Sequence, residues 1–439
     1  MKKKTSLFHF LSFIGIITCL LPACNKPLNK VFDSFNNNSK ERNLIIIISD
    51  IHLGADLSYS ETNINLGILT DFLEQIRRSS SVKELVIAGD LIDEWFIPAS
   101  INPYNGKNQT DFAERVAQTN KGVFDKLNQI IQEKKILVTY IPGNHDLTIT
   151  KENIDSILPG INQARDANAL GLGTYSPSGF PEIAIEHGHR YHFMCAPDPI
   201  SNQNIAPGTI LPAGYFFARI AAEHFKQGCL QNADAIPIIT TNTSGGGSQS
   251  LLYSYWSSWA WWLTTFPIQN HFYEKIIISD MNGFNDTCSV NDLMPTQANP
   301  GGFIKLKLFD GFQDSWTQRC ERNNVVVSVP AREAFAYASS ANGIDTMAVI
   351  QYFNNPYSSK RIVVFGHTHV ATIKDYKNYK GQKSIYANSG TWIDDNPNGP
   401  TMDFLIITPK SIDNSQTFVT LFSFKDEVIK ELAKDSISF

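Results

Sequence analysis

The sequence lacks a dominant charge. Its 37 Lys and Arg stand against 42 Asp and Glu, a net charge of −5, so there is no global basic field and nucleic acid is not expected as a partner. No repeat with a period of roughly 20–50 residues runs through it, which disfavours solenoids and propellers. Neither a Cys-x-x-Cys pair nor a Cys/His zinc spacing occurs, so a structural zinc site is not expected. Charged residues reach only 18%, while apolar residues make up 42%. That balance excludes wholesale disorder and permits a packed core. What the chain has in quantity is aromatic: 28 Phe, 15 Tyr and 7 Trp, which hints at aromatic-lined surfaces.

The first residues read as an address. Lys2, Lys3 and Lys4 precede an apolar run over 7–21, interrupted by His9, Ser12 and Thr18, the layout of a secretory signal. The run ends Leu21-Pro22-Ala23-Cys24, which resembles a bacterial lipobox; Pro22 departs from the usual residue there. Cleavage would leave Cys24 lipidated, making an exported lipoprotein of the cell envelope, periplasm-facing or at the cell surface, and meeting the membrane through its lipid. An uncut signal anchor is the alternative. Residues 25–43, rich in Asn, Lys and Ser, read as a tether. Cys195, Cys229, Cys288 and Cys320 remain downstream, an even number that allows three pairings or free thiols.

The central signal is a set of short apolar runs, each followed by Asp, Asn or His. LIIII (44–48) leads into Ser49-Asp50-Ile51-His52, and ELVIA (84–88) into Gly89-Asp90-Leu91-Ile92-Asp93. ILVTYI (136–141) leads into Pro142-Gly143-Asn144-His145-Asp146. Residues 182–185 lead into Glu186-His187-Gly188-His189, and IVVF (362–365) into Gly366-His367-Thr368-His369. Continuous apolar runs suit buried strands. Between the first two, Ile64, Ile68, Leu69, Phe72, Leu73 and Ile76 have helical spacing. One helix is also expected through Phe112, Val116, Val123, Phe124, Leu127, Ile130 and Ile131. Strand–helix alternation predicts an α/β fold with parallel crossovers. Functional groups then gather at the carboxyl ends of its strands.

These five motifs, in this order, resemble those of the calcineurin-like metallophosphoesterases. The Asn388-Ser389-Gly390-Thr391-Trp392 stretch is similar to the small-residue turn that follows the family's last motif. The resemblance implies a β-sandwich flanked by helices (αββα), here with a large insertion subdomain, and two transition metal ions, Mn, Fe or Zn. It places one ion on Asp50, His52, Asp90 and His369, and the other on Asp90, Asn144, His187 and His367, with Asp90 as the bridge. The activity implied is hydrolysis of a phosphoester, whether mono-, di- or pyrophosphate, by metal-activated hydroxide. The substrate would be a phosphorylated small molecule or a lipid or glycan phosphoester.

His145 would act at the leaving oxygen, with Asp93 orienting it; Asp93 could also merely cap the following loop. His189 is an alternative to His187. Arg190 would clamp phosphate or form a salt bridge, and Asp146 would support the Asn144 loop. The Asp-Leu-Ile-Asp-Glu-Trp run (90–95) looks like the bacterial UDP-2,3-diacylglucosamine pyrophosphatase branch, whose cytoplasmic substrate does not transfer to an exported chain. The rival from another class is a non-catalytic surface binding lipoprotein on a phosphoesterase core.

The expected layout is signal 1–24, tether 25–43, core 44–195, inserted aromatic-rich subdomain 196–321 and returning core 322–439. Within the insertion, 240–250 (TTNTSGGGSQS) reads as a flexible loop and 280–286 as a plain turn. Residues 251–268 hold Trp256, Trp259, Trp261 and Trp262 without charge. They read as an aromatic-faced helix, either core of the subdomain or a lid over the metals. A membrane span is disfavoured, because His187 and His367 flank the segment and must meet in one site.

Overall fold

The computed structural model describes residues 35–36, 41–232, 235–269, 272–340, 342–411, 415–425 and 428–439. The expected signal, Cys24 and most of the tether lie outside the described residues. Phe35, inside the expected tether, is buried and sits 5.8 Å, ring to ring, from both Phe72 and Phe404. An aromatic side chain in a polar tract gains more from burial than from solvation.

The apolar runs form strands β1 (Leu44–Ile48), β2 (Val82–Ala88), β3 (Leu137–Ile141), β4 (Ile183–Glu186) and β5 (Ile362–Phe365). They are followed by β6 (Thr372–Lys377), β7 (Lys383–Asn388), β8 (Asp403–Thr408), β9 (Thr417–Lys425) and β10 (Val428–Ile437). One seven-stranded sheet runs β10-β9-β8-β1-β2-β3 and ends on the short strand Asn162–Gln163. A five-stranded sheet runs β6-β7-β5-β4 and ends on Thr174–Tyr175. The β1–β2, β2–β3, β4–β5 and β5–β7 pairings are parallel, whereas β8, β9 and β10 join antiparallel.

Alternation along each strand divides two cores. Ile45 and Ile47 of β1 share an apolar cluster with Ile183 and Ile185 of β4 and with Ile362 and Val364 of β5. Ile46 and Ile48 belong to the other cluster, with Leu69 and Phe72 of helix α1 (Leu66–Arg78). The result is a mixed α/β architecture of two sheets packed face to face, with helices outside, which suits strands buried on both faces.

Two helix expectations need correction. Ile64 precedes α1 and is 80% exposed. The single helix through Phe112 and Ile131 is two, α2 (Gln109–Thr119) and α3 (Lys121–Glu133), broken at Asn120. The Asn120 amide donates to the carbonyls of Gly54 and Val116 at 2.9 and 2.8 Å. A short polar side chain that competes for backbone in this way ends a helix.

In the expected insertion, helix α4 (Ala213–Lys226) packs against α5 (Gly246–Thr265). Helix α5 takes up half of the stretch expected as a flexible loop. No helix among the described residues is long and apolar enough to cross a membrane. Trp259 is fully buried and stacks on Phe217 at 4.1 Å, while Trp261 is 61% exposed. The aromatic helix is therefore built as core through Trp259. Trp259→Ala should cost about 3–5 kcal/mol, read as a lowered unfolding midpoint in urea. An unchanged midpoint would show that the Phe217 stack contributes nothing to the fold.

Cys195, Cys229, Cys288 and Cys320 are all free thiols.

Candidate metal centre

The loops leaving the five strands converge at one end of the sandwich. Backbone bonding locks the first two together: Asp50 N–H donates to Gly89 C=O at 3.1 Å, and His52 N–H to Asp90 C=O at 2.9 Å. The last loop joins them, as His367 N–H donates to both oxygens of Asp50 at 3.1 and 3.0 Å. Such tight turns need unusual backbone. Asp50, His52, Asp90, His367 and His369 all adopt left-handed φ, between 51° and 70°, a region that few residues other than glycine enter. Glycine is required where loops touch. A Cβ on Gly143 would lie 2.1 Å from the Asp90 carboxylate, and one on Gly366 would lie 2.6 Å from that of Asp50.

Two triads of donor atoms result, Asp50–His52–His369 and Asp50–Asp90–His187, the atoms of each within 4.8 Å of one another. His369 Nε2 is 3.2 Å from Asp50 Oδ1 and 3.2 Å from His52 Nε2. The Asp90 carboxylate lies between the two sides, with Oδ2 3.0 Å from His187 Nε2 and 3.7 Å from His52 Nε2. Asn144 Oδ1 is 3.0 Å from the same His187 nitrogen. His187 Nδ1 bonds the Ala88 carbonyl at 2.8 Å, which assigns its proton there and leaves Nε2 as the electron-pair donor.

Electrostatics supply an independent test of whether a cation fits. Burial should suppress charge on every one of these groups. Yet Asp90 is held well below the usual carboxylate range by His187, His145 and His52, against its burial. His187, although buried, is raised to about 9 by Asp90 and Asp50. Protons on imidazole therefore balance buried carboxylates. A cluster that needs positive charge, and whose donors are oxygen and imidazole nitrogen, fits Mn, Fe or Zn. Loading would release those protons.

His145 stands beside the triads. Its Nδ1 is 2.8 Å from Asp93 Oδ1, and its side chain is 15% exposed. Burial lowers its pKa, but Asp93 and Asp90 outweigh that and raise it. Asp93 also accepts from the N–H groups of Trp95 and Phe96, each at 2.8 Å, so its capping and orienting geometries coexist. Asp146 accepts from Gly143 N–H at 2.6 Å and Leu91 N–H at 2.9 Å, which ties the Asn144 loop to the Asp90 loop. Ser49 Oγ lies 2.7 Å from Ser389 Oγ, and Trp392 N–H donates to Asp50 C=O at 3.0 Å. The 388–392 turn thus buttresses Asp50.

Not every expected residue joins the cluster. His189 Nε2 is 3.1 Å from the Gly171 carbonyl, which takes it out of competition with His187. Arg190 is buried with all three guanidinium nitrogens engaged. Nε is 2.7 Å from Glu186, Nη1 2.9 Å from Asp166, and Nη2 donates to Thr174 Oγ1 at 2.9 Å. The phosphate clamp expected of it is replaced by an internal ion cluster, because a buried guanidinium must be paired. His367 presents its backbone to Asp50, but its ring donor groups with His192 and Cys195.

Two residues escaped sequence reasoning. Glu61 Oε2 is 3.2 Å from His52 Nδ1, and Glu61 lies in a loop with no motif to mark it. Trp95 stacks on His145 at 4.9 Å; its place directly after Asp93-Glu94 was the available signal.

Residues 44–209 match the family model of the calcineurin-like phosphoesterase domain. No curated protein matches the chain. Among solved structures, similarity extends to a Vps29 single mutant from Entamoeba histolytica, at 10% identity over 90% of this chain and 99% of that one, with a TM-score of 0.28. It extends also to Pseudomonas putida nuclease MPE, at 14% identity over 36% of this chain and 55% of that one, with a TM-score of 0.20. Scores this low carry no argument about fold or activity. The domain match covers β1 to β4 and their motif loops, and over those residues the chain is similar to the calcineurin-like phosphoesterases.

Proposed function

We propose that the chain hydrolyses a phosphoester with two bound transition metal ions. The observation that carries this reading is the convergence of Asp50, His52, Asp90, His187 and His369 in one buried cluster that requires positive charge. Asp50, His52, Asp90 and His369 would hold one ion, and Asp90, Asn144, His187 and His367 the other. When bound, such ions polarise phosphoryl oxygen and bring the pKa of water from about 15.7 toward 7. The rest is done by side chains. Asp93 accepts the Nδ1 proton of His145, which leaves Nε2 to hold and move a second proton. From there His145 can give a proton to the departing oxygen, and Asp93 steadies the imidazolium. Trp95, stacked on the ring, limits its rotation.

The test is turnover of an aryl phosphate, an aryl phosphodiester and a pyrophosphate diester by Mn²⁺-loaded protein. Hydrolysis of at least one supports the reading. Full metal content with no turnover would favour the non-catalytic binding lipoprotein instead.

Export and anchoring at Cys24 complete the proposal, supported by the Lys2–Lys4 and 7–24 pattern. Cys24→Ala should move the protein out of the detergent phase and leave an unlipidated precursor. Mass spectrometry that finds an unmodified Cys24 on an intact N-terminus would refute lipidation.

A further inference from the structure

A second group of metal-type donors lies next to the triads. Donor atoms of His192, Cys195 and His367 all lie within 4.8 Å of one another. Backbone brings the first two together: Cys195 N–H donates to His192 C=O at 3.0 Å and Ala196 N–H to the same oxygen at 2.8 Å. That single turn sets the side chains at i and i+3 on one side. Gly214 leaves room for the thiol, since a Cβ there would come within 3.2 Å of Cys195 Sγ. His367 arrives from β5, the strand beside β4 in the same sheet, its ring 5.0 Å from that of His192 and nearly perpendicular to it, at 85°. The same ring lies 5.2 Å from that of His187.

We infer that His192, Cys195 and His367 form a further site for a thiophilic divalent cation, and that filling it withdraws His367 from the neighbouring pair. A two-imidazole, one-thiolate set with an open fourth position is a tetrahedral zinc-type arrangement. Metal–donor distances of about 2.0–2.3 Å place tetrahedral ligands about 3.5 Å apart. The three atoms, within 4.8 Å of one another, must therefore close by at most about 1.3 Å around an ion. The softness of sulfur separates this site from the oxygen-rich triads: Mn²⁺ prefers the latter, while Zn²⁺ and Cd²⁺ favour the thiolate. His367 cannot complete both coordination shells. An excess of thiophilic ion therefore acts as an inhibitor that needs no contact with substrate. The spectroscopic claim rests on the three residues alone; the inhibitory claim also rests on the proposed role of His367.

Cadmium(II) titrated into the full chain in detergent reports the site directly. The ultraviolet cadmium–thiolate band of the wild type should exceed that of Cys195→Ser by one equivalent, a difference in which the other thiols cancel. His192→Gln should keep that band but weaken its apparent affinity at least tenfold, which provides a second reading should Cys195→Ser fold poorly. With Mn²⁺-loaded protein and an aryl phosphate, the same cadmium should lower wild-type turnover at least tenfold and leave Cys195→Ser unaffected, with basal rates equal. A band indifferent to both substitutions overturns the site. A Cys195-dependent band with Cys195-independent inhibition overturns the withdrawal of His367. If no phosphoester is turned over at all, the spectral difference still decides the site.

Discussion

Asp90→Asn should strip most of the bound metal and nearly all turnover. The substitution isolates charge. Asparagine keeps an oxygen to accept the His145 N–H, a bond of 2.8 Å in the native loop, and it tolerates the backbone φ of 55°. What disappears is the carboxylate lying between His187 and His52. With it go a ligand expected to serve both ions and the charge that raises His187. Elemental analysis and aryl phosphate turnover on the same sample give the result. Full metal content with near-normal turnover would remove Asp90 from its bridging role.

His145→Ala is expected to behave differently. Its ring packs on His52 at 4.3 Å, but its Nδ1 pairs with Asp93 and its nitrogens join neither triad, so metal content should stay at the wild-type level. Turnover should fall about 10²–10⁴-fold, the usual scale of proton-transfer assistance. The drop should be steepest for substrates with a poor leaving group. A loss of activity that merely follows lost metal would show that His145 supports the ions instead.

The companion change Asp93→Asn carries a pH signature. Asp93 raises the pKa of His145 against the effect of burial, so the protonated ring persists to higher pH in the native site. Without that charge the alkaline fall in kcat should move to lower pH. A profile that stays in place would leave Asp93 with its capping bonds to Trp95 and Phe96 and its contact with His52 Nδ1 at 3.2 Å.

Strands and the candidate donor residues that follow them were legible because both obey local rules. A buried strand in a two-sided sheet must be continuously apolar, as in LIIII and IVVF, and the motif residues directly follow those runs. The fate of Arg190 was not legible: Glu186 stands four residues before it, but Asp166 and Thr174 come from other segments, and such pairing leaves no periodic trace. Glu61 was invisible for the same reason. The division of one helix into two at Asn120 turned on a tertiary bond to Gly54, which outweighed a pattern that read as continuous. The nearness of His192 and Cys195 to His367 joins segments far apart in sequence, so spacing rules for zinc sites missed it. The aromatic helix fills its own subdomain through Leu251, Leu252, Tyr255, Trp259 and Leu263, while Trp261 stays exposed.

The left-handed backbone at Asp50, His52, Asp90, His367 and His369 also limits how the protein can lose its chemistry. At such a φ a β-branched or bulky side chain strains the chain, whereas asparagine and glycine do not. Under the proposed function, random substitution at these five positions is filtered twice, by catalysis and by folding. Descendants that give up hydrolysis yet still fold should carry Asn or Gly there far more often than Val, Ile or Leu, and their inactivity would be recorded in the very residues that kept the loops in shape.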